Sequence, residues 1–454
     1  MMQIVHRRLK LTAIVIFTLV ALPATGQVIN EDFKFIPSDA AGGERFGFSI
    51  AIDNGVVAVG ANRDDDNGTK SGSAYIFDAS TGAQLFKLLP SDGAANDAFG
   101  YSIAIDNGVV AVGAVGDGDN GSSSGSAYLF DALTGVQIAK LLPSDGEFND
   151  RFGYSIAIHN GIVAVGATQS DDNGSDSGSV YLFDALTGVQ ITKLLPNDQE
   201  TQWFGSSIAI DTGIVAVGAM FDNEGGSYSG SAYLFDASTG VQIAKLLPSD
   251  GEIDDRFGGS IAISNGVVAV GALNDDDGGS DSGSAYLFDA SSGVQIAKLI
   301  PSDGDVYDQF GISIAIDNGI VAVGAYLDED NGRSSGSAYL FDASTGGQIT
   351  KLLPSDGTSH DHFGLSVAID NGVVVVGAQR GAENGIGSGT GYLFSTPSLC
   401  SADLSGDGIL DFIDFIVFLD AFLSQNPQAD FNNDGQYNYF DIIAFLTSFA
   451  EGCQ

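Results

Sequence analysis

A block of about 53 residues returns seven times along this 454-residue chain, and that periodicity limits the fold more than any other feature. Each copy opens on a Phe-Gly pair, at Phe46, Phe99, Phe152, Phe204, Phe257, Phe310 and Phe363. Each also carries a Gly-Ala pair, at Gly60, Gly113, Gly166, Gly218, Gly271, Gly324 and Gly377. One copy, beginning at Phe152, is a residue shorter, and register otherwise holds throughout. A repeat of this length with only strand signals inside it describes a small sheet that cannot bury both faces alone, so successive copies must stack on one another.

The second copy shows the internal plan. Phe99 to Ile105 alternates, Asp106-Asn107-Gly108 supplies the positive φ of a tight hairpin, and Val109 to Ala114 is almost wholly apolar, as a strand covered on both faces would be. A polar loop leads to Gly125–Asp131, a Thr134-Gly135 turn, and Val136–Leu142, which Pro143 closes. β-Branched and aromatic residues dominate, and no 3.6-residue period appears. The copy therefore reads as a four-stranded antiparallel meander.

The seventh copy ends after its third strand, at Gly391-Tyr392-Leu393-Phe394, and passes into Ser395-Thr396-Pro397-Ser398. Its missing fourth strand lies at the other end of the chain, where Phe33-Lys34-Phe35-Ile36-Pro37-Ser38-Asp39 matches Ala139–Asp145 in spacing and chemistry. A ring closed by that N-terminal strand leaves no open sheet at the seam. The expected architecture is an all-β, seven-bladed propeller over residues 27–396.

Residues 1–26 read as a signal peptide. Arg7, Arg8 and Lys10 precede the short apolar run Leu11–Leu22, and Ala24-Thr25-Gly26 offers small residues before Gln27. Secretion to the extracellular space or cell surface is expected, with no membrane span. The formal net charge of −41 argues against nucleic acid as a partner. In an up-and-down blade, the loop between strands two and three and the blade-to-blade loop leave on one face. Those loops hold most of the 58 acidic residues, for example Asp64, Asp65 and Asp66, or Asp275, Asp276 and Asp277. Their cations are Arg45, Arg63, Lys70, Arg151, Arg256, Arg333 and Arg380. This acidic long-loop face is the expected ligand surface, for a protein or a glycan, and an electrostatically steered ligand is expected to be cationic or metal-bridged. Lysines recur on every fourth strand, at Lys34, Lys87, Lys140, Lys193, Lys245, Lys298 and Lys351, and read as edge guards against sheet-to-sheet pairing.

Phe-Gly and Val-Gly-Ala at this spacing, with DDDNG and SGSAYLFD between them, resemble the FG-GAP repeats of integrin-α-like propellers, especially the short bacterial kind. The resemblance covers residues 31–394. Integrin-type repeats often place an Asp-x-Asp-x-Asp-Gly calcium loop between the two elements; here that position holds only a tight turn such as Asp53-Asn54-Gly55, too short to wrap a cation that takes six to eight oxygens.

A linker, 397–399, precedes a segment of different character, 400–454. Asp403, Ser405, Asp407, Asp411 and Asp414 stand at the side-chain positions of a calcium loop, with the Ile409 carbonyl between them. Asp430, Asn432, Asp434, Asn438 and Asp441, with the Gln436 carbonyl, repeat the pattern. Alternate hard oxygens and a glycine at the sharp turn, Gly408 and Gly435, are what Ca²⁺ needs, so two ions are expected. One apolar helix follows each loop, Phe412–Leu423 and Tyr439–Phe449. The segment resembles a type I dockerin, a small α-helical EF-hand-like module, and its terminal Gly452-Cys453 resembles the GC-type anchors. The resemblance implies a cohesin-like or surface-anchoring partner, contacted through Phe412, Ile413, Tyr439 and Phe440; the same residues could instead form the module's own core. Cys400 and Cys453 bracket the module, and with a secretory leader they read as a disulfide, contributing about 4 kcal/mol in the chain-entropy description.

No catalytic constellation emerges. His362 shares its slot with Arg45, Ala98, Arg151, Trp203, Arg256 and Gln309, which reads as surface, while Trp203 could stack on a sugar. The near-identity of the copies favours a non-enzymatic binding or adhesion propeller anchored by its calcium-folded tail. The alternative is a dockerin-bearing extracellular carbohydrate-active enzyme, a glycoside hydrolase or polysaccharide lyase.

Overall fold

The computed structural model describes residues 28–29, 31–198 and 201–396, and in the C-terminal segment 402, 404, 412–424, 426, 429, 431 and 436–451. The expected leader, residues 1–26, and Cys400 and Cys453 lie outside the described residues.

Seven sheets form a closed ring. Two short strands come first, β1 (Val28–Ile29) and β2 (Phe33–Phe35). Blade 1 is built from β3 (Phe46–Asp53), β4 (Val56–Ala61), β5 (Ser73–Asp78) and β6 (Gln84–Leu88). They pair antiparallel in sequence order. Blades 2 to 6 begin at Phe99, Phe152, Phe204, Phe257 and Phe310 and repeat this order. Successive first strands touch one another around the ring, so they line its axis.

The repeat motif is the contact between blades. Phe46 is fully buried and meets Tyr75 and Phe77 edge-on at 5.5 and 5.7 Å. Gly47, at φ +82°, then breaks the pairing register between Phe46 and Ser49. The Gly-Ala element lies against the next blade's Phe-Gly element: a Cβ on Gly60 would stand 2.2 Å from the Gly100 carbonyl oxygen. Ser49 Oγ donates to that same oxygen at 2.9 Å. Phe-Gly and Gly-Ala thus form one joint, shared between neighbours. An apolar cluster fills each of the seven interfaces, and each fully buried Phe contributes roughly 2–3 kcal/mol.

Blade 7 is closed as the sequence predicts. β2 pairs antiparallel with the strand Thr390–Ser395, setting Lys34 opposite Tyr392 just as Lys87 stands opposite Tyr75. Glu31 completes the match. In other blades the fourth-strand Gln accepts from the backbone of the preceding loop, as Gln84 does from Ser38 N at 2.8 Å. Glu31 accepts from Ser355 N at 3.0 Å in the same way.

One strand was not expected. β1 pairs parallel with the outer strand Gln348–Leu352, Val28 opposite Lys351 and Ile29 opposite Leu352, so blade 6 has five strands. Both residues are β-branched and suit an added edge.

In the C-terminal segment, α1 (Phe412–Ser424) and α2 (Tyr439–Glu451) run one and two residues beyond the expected ends. Phe418 and Phe445 stack at 4.1 Å in a small core with Ala402 and Ala429. No helix among the described residues is long and apolar enough to cross a membrane.

Candidate functional site

The recurring lysines are not edge guards. In blades 1 to 6 their side chains are only 10–17% exposed and turn toward the long-loop face. Lys87 Nζ lies 2.6 Å from Asp39, 3.0 Å from Asp64 and 2.6 Å from Asp66, and 5.1 Å from the centre of the Tyr75 ring. Tyr75 Oη donates to Asp64 at 2.9 Å. The grouping ties the blade-to-blade loop to the loop between strands two and three. It recurs around Lys140, Lys193, Lys245, Lys298 and Lys351, and around Lys34 with Asp356 and Glu383 at the seam. Burial opposes the charge on Asp39, but the Lys87 hydrogen bond and charge outweigh it and hold the carboxyl below its ordinary value.

The aspartate runs are therefore partly structural. Among the described residues, Asp198, Asp222 and Glu224 are the acids that lie close enough to share a cation, and the Lys245 ammonium pairs with all of them. Asp275, expected on a solvated surface, is 3% exposed and bonded to Tyr286 and Lys298.

The centre of the long-loop face differs in charge from its rim. Arg45 N donates to the Gly387 carbonyl at 3.1 Å across the seam, Arg63 N to Glu44 O at 3.2 Å, and Arg380 N to Asp361 O at 3.1 Å. Three guanidiniums are thereby gathered where blades 7 and 1 meet. Burial and the charges of Arg63 and Arg380 lower the pKa of Arg45. Arg45, Arg63, Arg380 and His360 line a depression of about 550 Å³. Arg45, Arg63, Lys70, Phe48 and Tyr101 line a second, of about 430 Å³. None of Arg45, Arg63 or Arg380 has a carboxylate ion-pair partner among the described residues.

An arc of rings continues from there around the axis. Phe48 packs on Tyr101 at 5.1 Å, Tyr101 on Tyr154 at 5.2 Å, Tyr154 on Trp203 at 5.7 Å, and Trp203 on Phe221 at 4.9 Å. Trp203 is thus one member of a half-buried aromatic run. His362 corrects the expectation of a surface residue: it is 8% exposed, edge-on to Tyr326 at 5.2 Å. Burial, then Arg380, His360 and Arg45, push its pKa down to about 4, so it is neutral at pH 7. The arginines were visible in the sequence as separate loop cations. Their convergence was not, because Arg63 and Arg380 hold the same register position in the first and last copies and meet only once the ring closes.

The opposite face consists of tight turns, with Asn54 N donating to Asp370 at 2.8 Å and Asn107 N to Asp53 at 2.9 Å. His159 replaces one aspartate of that series and stands 3.6 Å from Asp211.

Of the expected calcium ligands, Asp414, Gln436, Asn438 and Asp441 are described; Asp403, Ser405, Asp407, Ile409, Asp411, Asp430, Asn432 and Asp434 lie outside the described residues. Asp414 and Asp441 are fully buried in the first turns of α1 and α2. Asn438 caps α2: its Oδ1 accepts from Phe440 N at 2.9 Å, while its own N donates to Asp441 at 2.7 Å. Phe412, Tyr439 and Phe440 are 71%, 66% and 66% exposed, so they are not core residues.

This ring of four-stranded sheets, joined at each interface by a Phe-Gly and Gly-Ala contact, is a seven-bladed β-propeller. FG-GAP repeats match at 29–77, 83–130, 136–183, 189–235, 241–288, 294–341 and 347–394, and the chain belongs to the FG-GAP repeat family. Each match begins near a fourth strand and ends in the third strand of the following blade, the phase that seam closure requires. No curated protein matches the chain. Among solved structures, the computationally designed Ika8 protein is similar at 15% identity with a TM-score of 0.47, over 82% of this chain and 100% of that one.

Proposed function

We propose that this chain is a secreted, non-enzymatic binding or adhesion propeller, anchored to a surface or extracellular assembly by a calcium-folded, dockerin-like C-terminal module. The observation that carries the reading is where the sevenfold repeat breaks. The blade cores repeat almost unchanged, while the axial positions of the long-loop face vary from copy to copy and end in arginines and aromatic rings. A hydrolase or lyase needs an acid and a base facing one cleft; here the Asp361 carboxylate beside His360 is taken up by Thr358, which favours a contact surface.

For the tail, the donor chemistry fits calcium. Asp403, Ser405, Asp407, Asp411 and Asp414, then Asp430, Asn432, Asp434, Asn438 and Asp441, with the Ile409 and Gln436 carbonyls, would hold two ions. Asp414 and Asp441 are the last side-chain position of each loop and are buried in the first turns of α1 and α2. Calcium would neutralise loop acids that otherwise repel one another and so allow both helices to pack. Exposed Phe412, Tyr439 and Phe440 suit a cohesin-like partner.

Limited proteolysis of the full chain recovered from the culture medium tests the reading. The N-terminus should be Gln27, and chelator should admit cleavage within 400–454 while 31–396 stays intact. Equal protection of the tail with and without calcium would overturn the calcium-folded module. Release of new chain ends from a polysaccharide would favour the enzyme reading.

A further inference from the structure

Three features mark the axial mouth. Arg45, Arg63 and Arg380 converge without carboxylate partners among the described residues, although like charges brought together repel, the more so at half-buried Arg45. Asp361 also lines the first depression, but its carboxylate is taken up by Thr358, from N at 2.7 Å and Oγ1 at 3.0 Å. Beside the arginines, buried acceptors stand unused. Asn62 is 6% exposed and lines the second depression, yet its Oδ1 has no hydrogen-bond partner among the described residues; Gln379, 7% exposed, at the same register position one blade back and lining neither depression, leaves its Oε1 equally unpaired among them. Such atoms cost about 1–3 kcal/mol each unless something donates to them. The third feature is the run of rings from Phe48 through Tyr101 and Tyr154 to Trp203.

From these we infer that the mouth is a binding site for an acidic glycan, its carboxylate or sulfate groups held by Arg45, Arg63 and Arg380, a hydroxyl by Asn62, and its sugar faces by the aromatic arc. Guanidinium forks match planar oxyanions in two-point contact. A sugar also brings the hydroxyl donors that unused acceptors require, and apolar faces for the rings. A simple anion supplies only the first of these, and an acidic peptide has no hydroxyl array. The chain's net charge of −41 does not forbid such a ligand. Most acids lie in the surrounding loops and many are paired with lysines, and at physiological salt charges beyond about 8 Å are screened. This revises the expectation of a cationic ligand. It rests on the reading of the propeller as a binding module and names the class of its ligand.

The test uses the full chain in calcium and four probes: an oligogalacturonate, its methyl ester, dextran sulfate, and poly-aspartate. The oligogalacturonate or dextran sulfate should bind, the neutral ester should not, and poly-aspartate should bind more weakly. Whichever of the first two binds identifies the acid group. Arg63→Gln and Arg380→Gln, both at exposed positions, should each weaken binding about tenfold with unchanged melting temperature. Failure of both acidic glycans to bind, equal binding of the ester or poly-aspartate, or full affinity in the two variants would each overturn the site. Product analysis of the same mixtures separates the two readings: glycan bound through Arg63 and also cleaved would keep the site and refute the non-enzymatic function.

Discussion

Ser366 Oγ donates to the carbonyl oxygen of Gly47 at 2.9 Å, joining the first strand of the last blade to that of the first across 319 positions of sequence. The same bond links Ser49 to Gly100 and each later pair of neighbours, from 2.7 to 2.9 Å. The seam is thus a joint of the same construction as the other six interfaces, and it should respond to mutation as they do. Ser366→Ala should cost about 1 kcal/mol in thermal or denaturant unfolding. Gly47→Ala should cost more, since a Cβ there meets the Thr390 carbonyl oxygen at 2.8 Å with φ at +82°. Deleting residues 31–37 should lower the melting temperature more than either; a deletion as stable as the parent would refute closure by β2.

Neighbouring aspartates of one loop should behave differently. Asp275 is buried against Tyr286 and Lys298, whereas Asp276 is exposed and only accepts from Asp281 N at 2.7 Å, a bond that an Asn oxygen can still take. Asp275→Asn should destabilise by about 1–3 kcal/mol, and Asp276→Asn by less than about 0.5 kcal/mol. Equal effects in equilibrium unfolding would show that the lysine-centred groupings are not structural.

The Lys245 grouping predicts an acquired metal response. Removing the ammonium in Lys245→Ala leaves Asp198, Asp222 and Glu224 facing one another. The variant should be less stable than the parent and should recover stability in millimolar calcium, while the parent propeller transition is the same in calcium and in chelator. Calcorimetric scans of both proteins with and without chelator measure this, and an unresponsive variant would count against the ammonium as the internal counter-ion.

Two carboxyls carry the opposite sign of pH dependence from a paired aspartate. Burial, against a hydrogen bond from Glu252 N and with repulsion from Asp275, raises Asp255 from 3.8 to about 6; burial with repulsion from Asp328 does the same for Asp308. A folded-state pKa above the unfolded one means the native state binds more protons, so this contribution favours folding below pH 4 and is lost between about pH 4 and 6. Asp255→Asn keeps an acceptor for Glu252 N and removes the titration. It should flatten the stability profile over that window and raise the melting temperature at pH 7 by about 1 °C. A variant less stable than the parent at pH 7 would show that the charge itself is needed.

Much of the architecture was legible because the repeat supplies its own control. Lys34 falling in the lysine series and the absent fourth strand of the last copy together located the seam, and the structure places Lys34 opposite Tyr392 accordingly. β1 was not legible: two residues paired to the edge of a sheet about 320 positions away leave no periodic signal. The lysines were misread because strand position alone says that residue 87 is on an edge strand, while its direction is fixed by Asp39 and Asp64, which come from two different loops. The axial mouth was hidden for a related reason. Its residues are adjacent around a circle, whereas in the sequence Arg63 and Arg380 stand near opposite ends.

Closure by β2 also imposes an order in time. The strand that finishes the ring is synthesised before any blade, and its partner, Thr390–Ser395, after six of them. Six interfaces can form as their blades emerge, but the seventh must wait for the third strand of the last blade. Until then Phe33 and Phe35 have no sheet to join, and the three-stranded sheet of blade 7 presents a bare edge. A propeller caught before closure therefore carries an adhesive edge on each side of the seam, each the proper mate of the other and each able to capture the same element of a second molecule. Ring closure within one chain wins because its ends, once six blades are stacked, are already held side by side.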